Sequence, residues 1–217
     1  MSAMLHLYGA EYSVYVRAVR IALAEKGVSY HQTPIDIFNK AGVPDSYLDL
    51  QPFGKIPALR HAGFELFETT AILQYIDEAF EGPDLQPSSP QARARMAQIL
   101  SILNSYAYRT LVWDIFVERI AKPQEGKQTD EAKIAAALPA AKTVLNALEK
   151  LADDDGPFLL GSQITLADCL AAPMFDLFLK TPEALALVEP APRLGTWWRD
   201  VSARTSFLET LPQTRQV

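Results

Sequence analysis

LYGAEYSVYVRAVRIALAEKG, residues 7–27, is the stretch that decides the fold. Its first residues close the short apolar run Met4–Tyr8, which stops at Gly9 and reads as a strand. From Tyr15 to Lys26 the apolar residues Val16, Val19, Ala22 and Leu23 recur at helical spacing, and Gly27 stands where a helix C-cap belongs. Val28–Pro34 reads as a second strand. Strand, crossover helix and strand form a βαβ unit, whose two strands are parallel and right-handed in connection.

Downstream of that unit, Asp36–Leu50 is mixed, with a short helix predicted at Asp45–Asp49. QPFGKIPAL (residues 51–59) is a turn running into a strand at Pro57, and GFEL (63–66) is close enough to pair with it as a hairpin. ETTAILQYIDEA (68–79) has helical spacing. The order β-α-β then β-β-α predicts one mixed sheet. FEGPDLQPSSP (80–90), rich in proline and serine, has little to bury and reads as a connection. Helices are predicted over Ser89–Ile120, Asp130–Leu151, Thr165–Leu179, Glu183–Val188 and Arg193–Ala203. The expected organisation is an α/β domain over 1–80, a linker over 81–88 and an all-helical domain over 89–217.

Composition excludes several functions. The 217 residues are 49% hydrophobic and 21% charged, an ordinary globular balance, with a net charge of -6. There is no basic excess to neutralise phosphates, so no nucleic-acid partner is expected. Cys169 is the one cysteine, which rules out an internal disulfide or a CxxC redox pair. His6, His31 and His61 show no metal-ligand spacing, so no metal is expected. The amino terminus lacks a secretory pattern and no apolar run approaches a membrane span of about 20 residues. A soluble cytoplasmic protein without a membrane partner is the expectation.

Three places carry candidate chemistry. Ser13 precedes the first helix, where backbone N–H groups and the helix dipole favour negative charge. Its hydroxyl either caps the helix or donates to a substrate anion. Pro57, at the mouth of a strand, is either an ordinary trans turn proline or a cis proline that opens the Ile56 backbone to an added extended peptide. Glu68 and Thr69 open a helix: as a plain acidic start, or as a pair in which Glu68 receives an ammonium while Thr69 and free N–H groups hold a carboxylate. Together they suit an α-amino acid end group. Lys40 and Lys55 add cations for a second carboxylate. The set fits a small acidic peptide with a central thiol.

These stretches, with FETTAILQYIDE (67–78), resemble in order and spacing the amino-terminal domain of the cytosolic glutathione S-transferases, specifically the serine-type members of theta, zeta or phi kind, as in bacteria. GSQITLAD (161–168) resembles the capping box of that family's helical domain, with Thr165 and Asp168 at the Ser/Thr-x-x-Asp spacing of a helix start. The resemblance implies a thioredoxin-like fold followed by a helical bundle. It implies that Ser13 is the catalytic hydroxyl, that Lys55 and, more loosely, Lys40 meet the glycine carboxylate of glutathione, and that Ile56, before a cis Pro57, pairs with the cysteinyl backbone. Glu68 and Thr69 match the pair that holds the γ-glutamyl group. A homodimer is implied, with Phe53 where some classes insert an aromatic key into the partner.

Within that reading, Tyr8 and Tyr12 compete with Ser13 for the catalytic role. Tyr15 and Ser13 stand where thiol-disulfide classes carry cysteine, which disfavours reduction chemistry. Glutathione is the implied co-substrate and a hydrophobic electrophile the second partner, its site drawing on Tyr12 and on Tyr106 or Tyr108, which lie two apart and cannot share one helix face. Trp113, Phe116, Trp197 and Trp198 read as packing. Transfer of an alkyl or aryl group to glutathione is the leading function. Glutathione-dependent isomerisation or dehalogenation would use the same thiolate. A non-catalytic binding or structural module is the alternative of another class.

Overall fold

The computed structural model describes residues 4–212. The chain divides into two compact units, one formed by 4–85 together with 205–212, the other by 86–204.

In the first unit β1 (Leu5–Tyr8), α1 (Val14–Glu25), β2 (Tyr30–Thr33), α2 (Asp45–Leu48), β3 (Ala58–His61), β4 (Phe64–Phe67) and α3 (Thr69–Ala79) follow in order. The strands form one sheet in the order β2-β1-β3-β4, with β1 and β2 parallel and the other pairs antiparallel. Leu5 and Leu7 alternate inward with Leu59, and Val16, Val19, Leu23, Ile72, Leu73 and Ile76 complete the core. The buried Lys26 closes the far end of α1: its ammonium reaches the Asp77 carboxylate at 3.2 Å and the Asp77 and Pro83 carbonyls at 3.0 and 3.1 Å.

The second unit is helical. α4 (Pro90–Ile102) runs without a break into a π-helical segment, Leu103–Ala121, and then α5 (Lys122–Gln124). The Lys122 N–H reaches back five residues to the Val117 carbonyl, the wide winding that distinguishes this stretch from an α-helix. α6 (Glu131–Leu151) and α7 (Leu166–Phe178) pack against the π segment. α8 (Pro182–Val188) and α9 (Pro192–Ser202) follow. Asp130 and Ser89 cap α6 and α4 through their side chains.

α7 is buried almost throughout and is held by the expected capping box. Asp168, fully buried, accepts from the Thr165 amide and hydroxyl at 2.7 Å each, from the Leu159 amide at 2.9 Å and from the Trp197 indole at 2.8 Å. Trp197 is therefore a hydrogen-bond partner of the box as well as a packing residue.

The division differs from the expected 1–80, 81–88 and 89–217 in two ways. Residues up to Leu85 belong to the first unit, because Leu85 is buried and its N–H donates to Asp77 at 2.8 Å. The final described turn, α10 (Thr205–Leu208), returns to α1. Ser206 donates to Glu25, Arg20 donates to the Thr210 carbonyl at 3.3 Å, and the Arg17 guanidinium lies 5.1 Å from the Phe207 ring. No helix among the described residues is long and apolar enough to cross a membrane.

Candidate active site

Strand register gathers the candidate residues. Tyr8 is in register with Thr33 on one side and Ala58 on the other, and Ala58 with Phe67. These residues end β1 and β2, begin β3 and end β4. The 9–13 loop, the connection after Thr33, the incoming 51–57 turn and the start of α3 therefore share one end of the sheet. Neighbouring strands stand about 4.8 Å apart, so β1 to β4 covers about 10 Å. An extended tripeptide, at about 3.4 Å per residue, has that length.

Ser13 is the N-cap of α1, and its Oγ accepts the Val16 N–H at 3.4 Å. Capping uses the oxygen's lone pair and leaves the hydroxyl proton to be donated, and no described residue accepts it. Capping and donation to an anion are thus compatible in one side chain. Gly9 sets the approach of this loop: its φ is +150°, and a Cβ there would collide with Val16 and come within 3.3 Å of the Ile56 Cβ. The serine loop and Ile56 are neighbours because that position has no side chain.

The Ile56-Pro57 peptide is cis, and both residues are buried. Lys55, just before them, is exposed, but its backbone is held on both sides. The Tyr47 hydroxyl donates to the Lys55 carbonyl at 2.6 Å, while the Gln51 side-chain oxygen accepts the Lys55 and Phe53 amides at 3.2 and 2.7 Å. Burial pushes the Tyr47 hydroxyl pKa well up, keeping it a donor. Sequence reading missed Tyr47 and Gln51. A polar pair flanking the turn was the only signal for them.

Glu68 precedes α3 with φ +72° and ψ 114°, a conformation that costs a non-glycine residue of order 1–3 kcal/mol. It makes no side-chain cap bond, and its exposed carboxylate meets no described cation. Thr69, the first residue of α3, is buried beside the free N–H groups of the first turn. Lys40 and Lys55 have no ion-pair partner among the described residues. Lys40 lies in an exposed turn after β2, and no described contact ties it to the other candidates. The Glu68 carboxylate and the Lys55 ammonium thus remain available at this end of the sheet.

Of the two competing tyrosines, only Tyr12 has its hydroxyl engaged by a described hydrogen bond. Tyr8 alternates with the inward Leu7, and its ring centroid lies 6.3 Å from that of Tyr47, on the opposite face from α1. The Tyr12 hydroxyl donates to Asp36 at 2.7 Å, and its ring lies 5.8 Å from the exposed Phe38. Tyr106 and Tyr108 lie on the π segment of the second unit. Tyr106 is exposed, whereas Tyr108 is half-buried and edge-on to Trp113, its hydroxyl pKa raised by burial. Trp113 and Phe116 are half-buried rather than fully core.

A βαβ-ββα sheet with a cis proline opening β3, followed by helices, defines a thioredoxin-like domain joined to an all-α one. Residues 7–84 match the profile described as "Glutathione S-transferase, N-terminal domain", and 131–199 match "Glutathione S-transferase, C-terminal domain". Glutathione S-transferase 3 of Zea mays is 31% identical over 212 residues, covering 96% of this chain and 94% of its own. Glutathione S-transferase theta-1 of Rattus norvegicus is 28% identical, covering 95% and 87%. Among solved structures, glutathione S-transferase III in its apo form has a TM-score of 0.83 at 32% identity, covering 97% and 98%. Glutathione S-transferase-I bound with lactoylglutathione has a TM-score of 0.81 at 25% identity, covering 96% and 99%. The chain belongs to the glutathione S-transferase family.

Proposed function

We propose that this member of the family is a glutathione transferase in which Ser13 donates a hydrogen bond to the glutathione thiolate, and that the thiolate attacks a hydrophobic electrophile. The observation that carries the reading is the register Tyr8–Ala58–Phe67, from whose end Ser13, Ile56 and Glu68 all depart. Glu68 and Thr69 suit the γ-glutamyl ammonium and carboxylate, Ile56 the cysteinyl backbone, and Lys55 with Lys40 the glycine carboxylate. Glutathione is the co-substrate. Tyr12 with Phe38 offers apolar surface beside the Ser13 loop, and the exposed Tyr106 is the better electrophile candidate of its pair. A homodimer belongs to the same reading, with Phe53, 68% exposed and edge-on to Phe67, as its aromatic contact.

The chemistry is modest in size. A free thiol with a pKa of about 8.5 is only about 3% thiolate at pH 7. The Ser13 hydroxyl and the positive end of α1 both favour the anion. A fall of about 2 units corresponds to roughly 2.7 kcal/mol and makes the thiolate the major form. Orientation of the electrophile supplies the remaining acceleration. Steady-state conjugation of glutathione to an activated aryl chloride tests this reading. Ser13→Ala should lower kcat at pH 6.5 by about 10-fold or more, with a smaller change in the KM for glutathione. Equal loss in Glu68→Gln and none in Ser13→Ala would contradict it.

A further inference from the structure

The face of the sheet opposite α1 carries a row of residues in continuous register: His31 on β2, His6 on β1, Arg60 on β3 and Glu65 on β4. The guanidinium and carboxylate at one end satisfy each other, Arg60 Nε donating to Glu65 at 2.8 Å. At the other end the two imidazoles meet edge-on, with ring centroids 5.5 Å apart and planes at 66°. His31 is exposed and His6 half-exposed. Neither ring has a hydrogen-bond partner among the described residues. The third histidine, His61, is committed: its Nδ1 lies 2.8 Å from the Tyr75 hydroxyl.

We propose that His6 and His31 form a cross-strand site for a divalent transition-metal ion such as nickel(II) or zinc, separate from the glutathione end of the sheet. A metal bonded to an imidazole nitrogen at about 2.0–2.1 Å lies about 3.2 Å from that ring's centroid. Two rings at a near-tetrahedral angle then have centroids about 5.2 Å apart, close to the separation these rings already hold. Adjacent parallel strands fix the spacing of the two Cα atoms, so the site is set by the backbone, and only side-chain rotation is needed. Imidazole suits nickel, copper and zinc, and water completes the coordination. Pairing of Arg60 with Glu65 offsets the nearby cation.

The test is nickel(II) titration of the intact protein, read by calorimetry and by paramagnetic broadening of the imidazole proton signals. With three histidines, every signal is assignable by single substitution. Substoichiometric nickel should broaden the His6 and His31 signals and spare His61. His31→Gln, at an exposed position, should weaken nickel binding at least about 10-fold, and His61→Gln should leave it unchanged. Equal broadening of all three histidines, or unchanged affinity in His31→Gln, would overturn the proposal. Circular dichroism of each variant separates loss of the site from loss of the fold.

Discussion

The hydroxyl of Tyr47 donates to the carbonyl oxygen of Lys55 across 2.6 Å, from α2 to the turn that leads into the cis proline. With Gln51 accepting the Lys55 amide, this bond fixes the backbone on which the lysine and Ile56 are displayed. Neither Tyr47 nor Gln51 is exposed, so their role is positioning.

Tyr47→Phe removes one hydrogen bond while keeping the ring, and leaves the Lys55 carbonyl to water. The expected effect is a rise of about 3- to 10-fold in the KM for glutathione, equivalent to roughly 0.5–1.5 kcal/mol. Steady-state kinetics should show kcat changed less than KM. A fall in kcat alone would give Tyr47 a different role.

Asp168 accepts four hydrogen bonds in a fully buried position, from residues as distant in sequence as Trp197. Asp168→Ala strands those donors away from water. Since each unsatisfied buried group costs about 1–3 kcal/mol, a loss of at least about 3 kcal/mol is expected in urea denaturation, or failure to accumulate folded protein. Trp197→Phe removes only one donor and should cost less.

Glu118 gives the helical unit a specific acid sensitivity. It is buried, which alone would push its carboxyl up, but Lys122 and Lys133, each 2.6 Å away, and the Asp130 amide hold its pKa down to about 2. The folded value lies below the ordinary 4.5, so the stabilisation is fully present above pH 4.5. It is lost as the pH falls toward 2 and the carboxylate is protonated. Denaturation midpoints followed from pH 6 to pH 2 should fall in this window, and Glu118→Gln should flatten the fall.

Much of the first unit was legible because its signals are local. Ser13 and Gly27 bracket α1 in the sequence, and the predicted helix over 15–26 differs from Val14–Glu25 by one residue at each end. The capping box at Thr165 and Asp168 was readable for the same reason, since its partners are three residues apart. What escaped depends on contacts between distant residues or on backbone geometry. Arg20 and Thr210 are 190 residues apart, so the return of α10 to α1 left no local pattern. The positive φ of Glu68 is a tertiary imposition at a residue type that does not favour it. The wide winding of Leu103–Ala121 keeps a helical pattern of apolar residues, which conceals its different hydrogen bonding. At the candidate site the sequence offered Ser13, Lys55, Ile56 and Glu68 as candidates, and the structure added Gly9, Tyr47 and Gln51, which hold the backbone around the first three.

Stabilisation of the glutathione thiolate by the Ser13 hydroxyl is read out by the pKa of bound glutathione. Ultraviolet thiolate absorbance is followed against pH in the wild-type protein and in Ser13→Ala. The bound pKa should lie about 2 units below the free value of about 8.5 in the wild type and return most of the way in the variant. A depressed pKa that survives the substitution would contradict the role of Ser13 and shift it to Tyr8, Tyr12 or the α1 amides. Absence of glutathione binding in the folded wild-type protein would contradict the proposed function itself.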